Sequence, residues 1–165
     1  MHRRTGFTLI EVLFVISVVC VIFGTLLVAA NPKALMQKSR DAKRMQDMDA
    51  MLKAINLALA DGEITLVPTA TCTNCSSSTG SQAVDGSGYI KFKIVDGKKG
   101  LTKYSIDSLP LDPINNGKYV YTFGSTATGF ELNAVLENPD NVSKMGTDGG
   151  NDSNMYEVGT NLQIL

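Results

Sequence analysis

The chain has 165 residues, 44% of them hydrophobic, and its 15 lysines and arginines nearly balance 16 acids for a formal charge of −1. That length accommodates one small domain plus an anchor, and the lack of basic excess argues against a direct nucleic-acid partner. With one histidine, His2, and no Gly-rich loop beside a Lys-Ser or Lys-Thr pair, neither a histidine-dependent nucleophile nor a nucleotide-phosphate cradle is expected, so the chain does not read as an enzyme.

The first element is an apolar run from Phe7 to Ala30, preceded by Arg3, Arg4 and Gly6 and interrupted only by Thr8, Glu11, Ser17, Gly24 and Thr25. As a helix it measures roughly 36 Å, enough to span a hydrocarbon core of about 30 Å. A secretory signal core is shorter, about 7–15 residues, and ends in a small-residue cleavage site that this run lacks. Glu11 is the anomaly. A carboxylate inside a spanning helix costs on the order of 2.5–3.5 kcal/mol, so it is normally paired, shielded or functional. No base lies within helical reach on the apolar side, and Arg3 and Arg4 precede Glu11 by two turns. A position one turn inside the interface, reaching headgroups or water, is the alternative reading.

The segment Arg3-Arg4-Thr5-Gly6-Phe7-Thr8-Leu9-Ile10-Glu11-Val12 resembles the processing site of type IV pilins and of the pseudopilins of type II secretion. The resemblance implies a leader, residues 1–6, cut by a membrane prepilin peptidase between Gly6 and Phe7, with N-methylation of Phe7. It also implies that Glu11 meets the N-terminal ammonium of a neighbouring subunit in an assembled filament, and that the partners are further copies of this chain, an inner-membrane assembly platform and, before assembly, membrane lipid. The leader's Arg3 and Arg4 favour a cytoplasmic N-terminus and a head outside. Lys33, Lys38, Arg40, Lys43 and Arg44 oppose that simple rule, so the orientation rests on the processing motif.

Pro32 is expected to break the helix near Ala29–Asn31. Beyond it, Leu35, Ala42, Met45, Met48, Leu52, Ile55 and Leu59 recur at spacings of three, four and seven, the pattern of an amphipathic stem over residues 31–62. Asp61-Gly62 is its stop signal. The fold expected is α+β, a type IV pilin-like lollipop: transmembrane and polymerisation helix 7–30, stem 31–62, and a globular β-rich head 63–165. An ordinary core-facing helix explains the stem's stripe equally well. From Asp61 onward the head carries 7 lysines against 12 acids.

Within the head, Tyr89–Val95 alternates with period two and closes on Asp96-Gly97. Lys118–Phe123 and Phe130–Leu136 supply two further strands, and the three are expected to form a meander on the stem, with a final strand over Tyr156–Leu165. Cys72 and Cys75 can close a tight disulfide in an oxidising exterior, pinning the Ser/Thr-rich loop Thr69–Ser81. Two readings compete with that bond. A zinc ribbon needs a second ligand pair, and the remaining candidates, Cys20 and His2, lie in the apolar run and the leader. A redox Cys-x-x-Cys usually opens a helix, whereas the flanks here are Thr, Asn and Ser.

Leu109–Gly117, followed by Tyr119 and Tyr121, is similar to the loop ahead of the sheet in major pseudopilins and related Gram-positive-type pilins. There a downstream Asp-Gly-Gly element helps form a calcium site, and the resemblance implies a calcium ion on Asp148 and Asp152, with Asp112 a further candidate. The segment does not match an EF-hand loop, since the twelfth place from Asp148 is Gly159. A solvated Gly/Asp/Asn turn is the competing reading, and no cofactor is required. Two other jobs are compatible with an anchored head: a membrane-tethered binding module, which predicts an uncut leader and no polymer, and an anchored enzyme, which lacks a site. Within the family, a pseudopilin or a minor tip subunit is the alternative to a shaft pilin.

Overall fold

The computed structural model describes residues 6–29 and 31–165; the leader residues 1–5, with Arg3 and Arg4, and Ala30 lie outside the described residues, as do the side chains of residues 26–29. It divides into two compact units, one up to Gln37 and one from Lys38 to Leu165. The class is α+β: helices α1 (Leu9–Ala29) and α2 (Pro32–Ala60), strands β1 (Ile64–Leu66) and β2 (Phe92–Ile94), a short 3-10 turn at Gly100–Tyr104, strands β3 (Thr122–Ser125) and β4 (Phe130–Ala134), helix α3 (Pro139–Met145) and strand β5 (Tyr156–Gly159).

The break expected near Pro32 is present. α1 ends at Ala29 and α2 begins at Pro32, where the ring's fixed φ suits the first helical position and its missing N–H is not needed. Asn31 takes a positive φ of 42° and its side-chain oxygen accepts from Ala34 N, capping α2. At the other end Gly62, at φ 63°, closes the helix: Glu63 N donates to Ala58 O and Gly62 N to Leu59 O, the paired bonds of a Schellman cap.

The buried face of α2 differs from the apolar stripe. Met48 and Ile55 are buried as expected, with Met51, Ala54 and Ala58, but Leu35 and Ala42 are exposed and Met45, Leu52 and Leu59 are only half-buried. The first turns of the buried face are instead Asp41, Arg44 and Asp47. Arg44 is fully buried and donates through Nε and Nη2 to both oxygens of Asp112 (2.6 and 3.0 Å), and through Nη1 to Asp41 (2.9 Å) and Glu137 (2.6 Å). Arg40 adds two bonds to Glu137, and Asp41 accepts from the backbone N–H groups of Glu137 and Asn138. Charged residues therefore face inward because every one of them is paired, which apolar periodicity cannot reveal.

Among the described residues the strands form two sheets, β1-β2 and β3-β4-β5, antiparallel throughout. The expected three-strand meander is thus corrected. The Tyr89–Val95 segment contributes only Phe92–Ile94, which pairs with β1, while the third strand of the larger sheet is β5. Tyr89 and Ile90 stand before β2 in the core, where the Tyr89 hydroxyl donates to Pro110 O at 2.7 Å, so this segment spends its apolar residues on packing rather than on the second sheet. The outer edge of β3 is covered by the 75–77 segment, through Ser77 N to Tyr121 O and Phe123 N to Cys75 O. The core lies between α2 and the β3-β4-β5 face carrying Phe123, Phe130, Leu132 and Ala134, joined by Tyr89, Ile90, Leu101 and Leu109.

Candidate processing and assembly site

Gly6 and Phe7 precede α1 as exposed chain outside any helix or strand; Phe7 is 83% exposed and nothing stands within 4 Å of where a side chain on Gly6 would begin. The peptide bond between them is thus unobstructed by the described part of this chain. Thr8 starts the helix. Its Oγ1 accepts from Glu11 N at 3.4 Å, while its own N–H and hydroxyl donate to Glu11 Oε2, both at 3.2 Å. This is a capping box, and Glu11 stabilises the helix start twice over: it completes the hydrogen bonds of the first turn and puts negative charge at the positive end of the helix dipole. The signal was readable as Thr-x-x-Glu at the start of an apolar run, and sequence reasoning that weighed a basic partner, headgroups or water for Glu11 missed it.

Over its described side chains α1 has no polar face. Leu9, Ile10, Leu13, Val15, Val21 and Ile22, which at about 100° per residue point to all sides, are each more than half exposed. Its hydroxyls turn back on the helix, Ser17 Oγ to Phe14 O (2.7 Å) and Thr25 Oγ1 to Ile22 O (2.8 Å), so neither asks for water. A helix apolar all round needs burial in protein or lipid. Over the described residues no helix is long and apolar enough to cross a membrane. The described side chains of α1 run from Leu9 to Thr25, about 25 Å of helix against a core of about 30 Å.

The other candidate residues lie in the C-terminal unit. Cys72 and Cys75 are joined Sγ to Sγ, with Cα atoms 5.8 Å apart. Asp112 does not stand with the Asp148 loop as a ligand group: both its oxygens hold Arg44, and one also accepts from Ile114 N. Asp148 accepts from Gly150 N and Glu157 N, and Asp152 from the backbone and side chain of Asn154. Among the described residues no three His, Cys, Asp or Glu side chains gather closely enough to hold a metal ion. Asp112, Asp148 and Asp152 therefore do not come together as one ligand set.

Electrostatics single out two carboxyls. Glu137 is held below the usual carboxylate range by hydrogen bonds from Arg40 and then, against its desolvation, from Arg44. Glu157 moves the other way, pushed up to about 7 by burial and by the facing Glu131. Sequence reasoning missed Glu131, Asn133 and Glu157. The sequence shows only that Phe130–Ala134 alternates apolar with polar, and the structure adds that both of its faces are buried.

Residues 1–30 match the prokaryotic N-terminal methylation motif, the signature of type IV pilins and pseudopilins. No curated protein and no solved structure gives a significant match to the chain.

Proposed function

We propose that this chain is the precursor of a structural subunit of a type IV pilus-like filament, organised as leader 1–6, transmembrane and polymerisation helix 7–30, stem 31–62 and head 63–165. The observation that carries this reading is the match of residues 1–30 to the methylation motif directly on a helix that is apolar on every side. Prepilin peptidase cuts after Gly6 and the new amine of Phe7 is methylated. The precursor is a single-pass membrane protein: the apolar sequence continues through Leu26-Leu27-Val28-Ala29-Ala30, and the full run Phe7–Ala30 has the length a bilayer requires. The head stays outside the cytoplasm, at the cell surface or in the periplasm after assembly.

Assembly is a transfer from lipid to protein. In the filament, apolar helices pack against one another instead of against acyl chains, driven by close contact and by the pairing of polar groups. Glu11 exchanges its bonds with Thr8 for the ammonium of a neighbour's Phe7. That pair sets axial register, a use of ionic pairing better described as specificity than as strength. The geometry makes the exchange cheap, because Glu11 is exposed and its present bonds are at the long end of the hydrogen-bonding range.

Mass spectrometry of the N-terminus of the native protein tests the reading. The expected species begins at Phe7 and carries one methyl group, and Gly6→Arg abolishes it. A native chain that keeps residues 1–6 and stays monomeric in cells overturns it in favour of a tethered binding module.

A further inference from the structure

The basic residues that follow the apolar run, Lys33, Lys38, Arg40, Lys43 and Arg44, are not alike once the C-terminal unit is folded. Arg40 is bound to Glu137, Arg44 to Asp41, Asp112 and Glu137, and Lys43 to Asp47 at 2.6 Å. Lys38 stands 3.9 Å from Asp140, both side chains largely in solvent. Lys33 is exposed, and among the described residues no ion pair includes it. Every one of these charges but Lys33 is therefore answered within the C-terminal unit, whereas Lys33 belongs to the unit that ends at Gln37.

Residues 31–37 differ both from the run before them and from the stem beyond. None of them is buried, and two are large and apolar: Leu35 is 59% and Met36 62% exposed. No acid occurs anywhere from Val12 to Arg40. The helix break fixes the depth of this segment. Between α1 and α2 the last carbonyls of one helix and the first N–H groups of the next lose their helical partners, and the Asn31 side chain answers one of them, Ala34 N. The others need water, so the break cannot face hydrocarbon. With residues 7–30 across the bilayer, Asn31 stands at the hydrocarbon edge. Residues 31–37, about 10 Å of chain in helical rise, then cover a headgroup zone about 5–8 Å deep.

We propose that residues 31–37 form an interfacial collar for anionic phospholipid, in which Leu35 and Met36 enter the acyl boundary and the Lys33 ammonium holds the phosphate of the headgroup. The inference rests on the reading of residues 7–30 as a membrane span. Three observations select this occupant. The collar continues a helix whose described side chains are apolar on every side, its one unanswered charge is positive, and no carboxylate from Val12 to Arg40 repels a phosphate. A lysine suits the place because its long stem lies on apolar surface while its ammonium stays at headgroup level.

Near a negatively charged bilayer surface each such lysine favours an anionic lipid over a zwitterionic one by about fivefold. The collar gives Lys33 a role on the side of the membrane where the charge rule for orientation disfavours it. It also sets how deeply the precursor sits, and its lipid contacts are released when the subunit leaves the bilayer for the filament.

The chain has no tryptophan, so Met36→Trp supplies a single fluorescent reporter, of a type that interfaces favour. The full chain carrying it is reconstituted in phosphatidylcholine vesicles that contain a minor share of brominated phosphatidylglycerol or, in the other arm, of brominated phosphatidylcholine. Expected are quenching by bromines placed near the headgroup and an enrichment of phosphatidylglycerol of about fivefold around the reporter. Lys33→Gln is expected to reduce that enrichment below about twofold with the depth of quenching unchanged. Lys53→Gln, roughly 30 Å of helix further on and paired with Asp49, is expected to keep it. Unquenched, water-like emission overturns the collar, as does equal enrichment of the two lipids or a preference that survives Lys33→Gln. An emission that follows the protein-to-lipid ratio assigns the surface to a second copy of the chain and overturns the lipid. A chain that alkaline carbonate extracts from the vesicles overturns the membrane span itself, whereas a resistant chain with no lipid preference overturns the collar alone.

Discussion

Arg44 and Glu11 show how one charged residue is made tolerable in two different settings. Arg44 sits at zero exposure among Asp41, Asp112 and Glu137, with its guanidinium 5.0 Å from the centre of the Tyr119 ring. Burial works against its charge, yet the hydrogen bonds to Asp112 and Glu137 outweigh it and keep the group protonated at any accessible pH. Removing the arginine leaves buried carboxylates facing one another. Arg44→Ala is expected to destabilise the head by about 3–5 kcal/mol, read as a shift of the urea midpoint. After Asp112→Ala the same substitution is expected to add less than its own value, because the two share one network. Among the described residues Glu11 is paired only locally. Thr8→Val removes the cap hydroxyl and is expected to weaken the helix start by about 1 kcal/mol, visible as earlier fraying by hydrogen exchange, without altering the cleavage site.

Among the elements, α2 is defined by its ends and the disulfide loop by what it covers. Gly62 has open space around its α-carbon, so Gly62→Ala is disfavoured by backbone conformation alone. An expected loss of about 1 kcal/mol follows from forcing alanine to a φ of 63°, and Gly62→Asn is expected to lose less because asparagine tolerates the left-handed region. Thermal denaturation of the two variants side by side checks this. The Cys72–Cys75 bond closes a short loop whose following residues pair with the edge of β3. In the chain-entropy account so short a loop yields about 2 kcal/mol, and the expected effect of reductant is a loss of that size together with faster exchange at Phe123 N, whose acceptor is Cys75 O.

For the whole molecule, two sets of carboxyls set opposite limits on the pH range of stability. Glu137, Glu63 and Asp61 are depressed, the first by Arg40, the second by Lys103 and the third by Tyr104 and then Lys103. Their contribution is complete above the usual values of 4.5 and 3.8 and disappears as pH falls through the lower folded values. Glu157 is raised, so its contribution is complete below 4.5 and is lost as pH rises through about 7. The protein is expected to show maximal stability on the acid side of neutrality, with melting temperature falling on both sides. A flat profile from about pH 5 to pH 8 would contradict the Glu131–Glu157 arrangement.

The sequence by itself determined the N-terminal third of the story, because its signals are local: Gly6 before Phe7, an uninterrupted apolar run, Pro32 at a helix start and Gly62 at a helix end each act through the backbone or through neighbours three or four residues away. The classes of α1, α2 and strands β2 to β5 were anticipated over part of their lengths, whereas β1 and α3 were not. What only the tertiary structure decided are pairings between residues about a hundred positions apart or less: Arg44 with Asp112 and Glu137, β2 with β1 rather than with β3, and Glu131 beside Glu157. A charged residue reads as solvent-facing until its partner is known, and the partner is chosen by how the chain returns on itself. That is why the apolar stripe pointed to Ala42 while the fold buried Asp41 and Arg44.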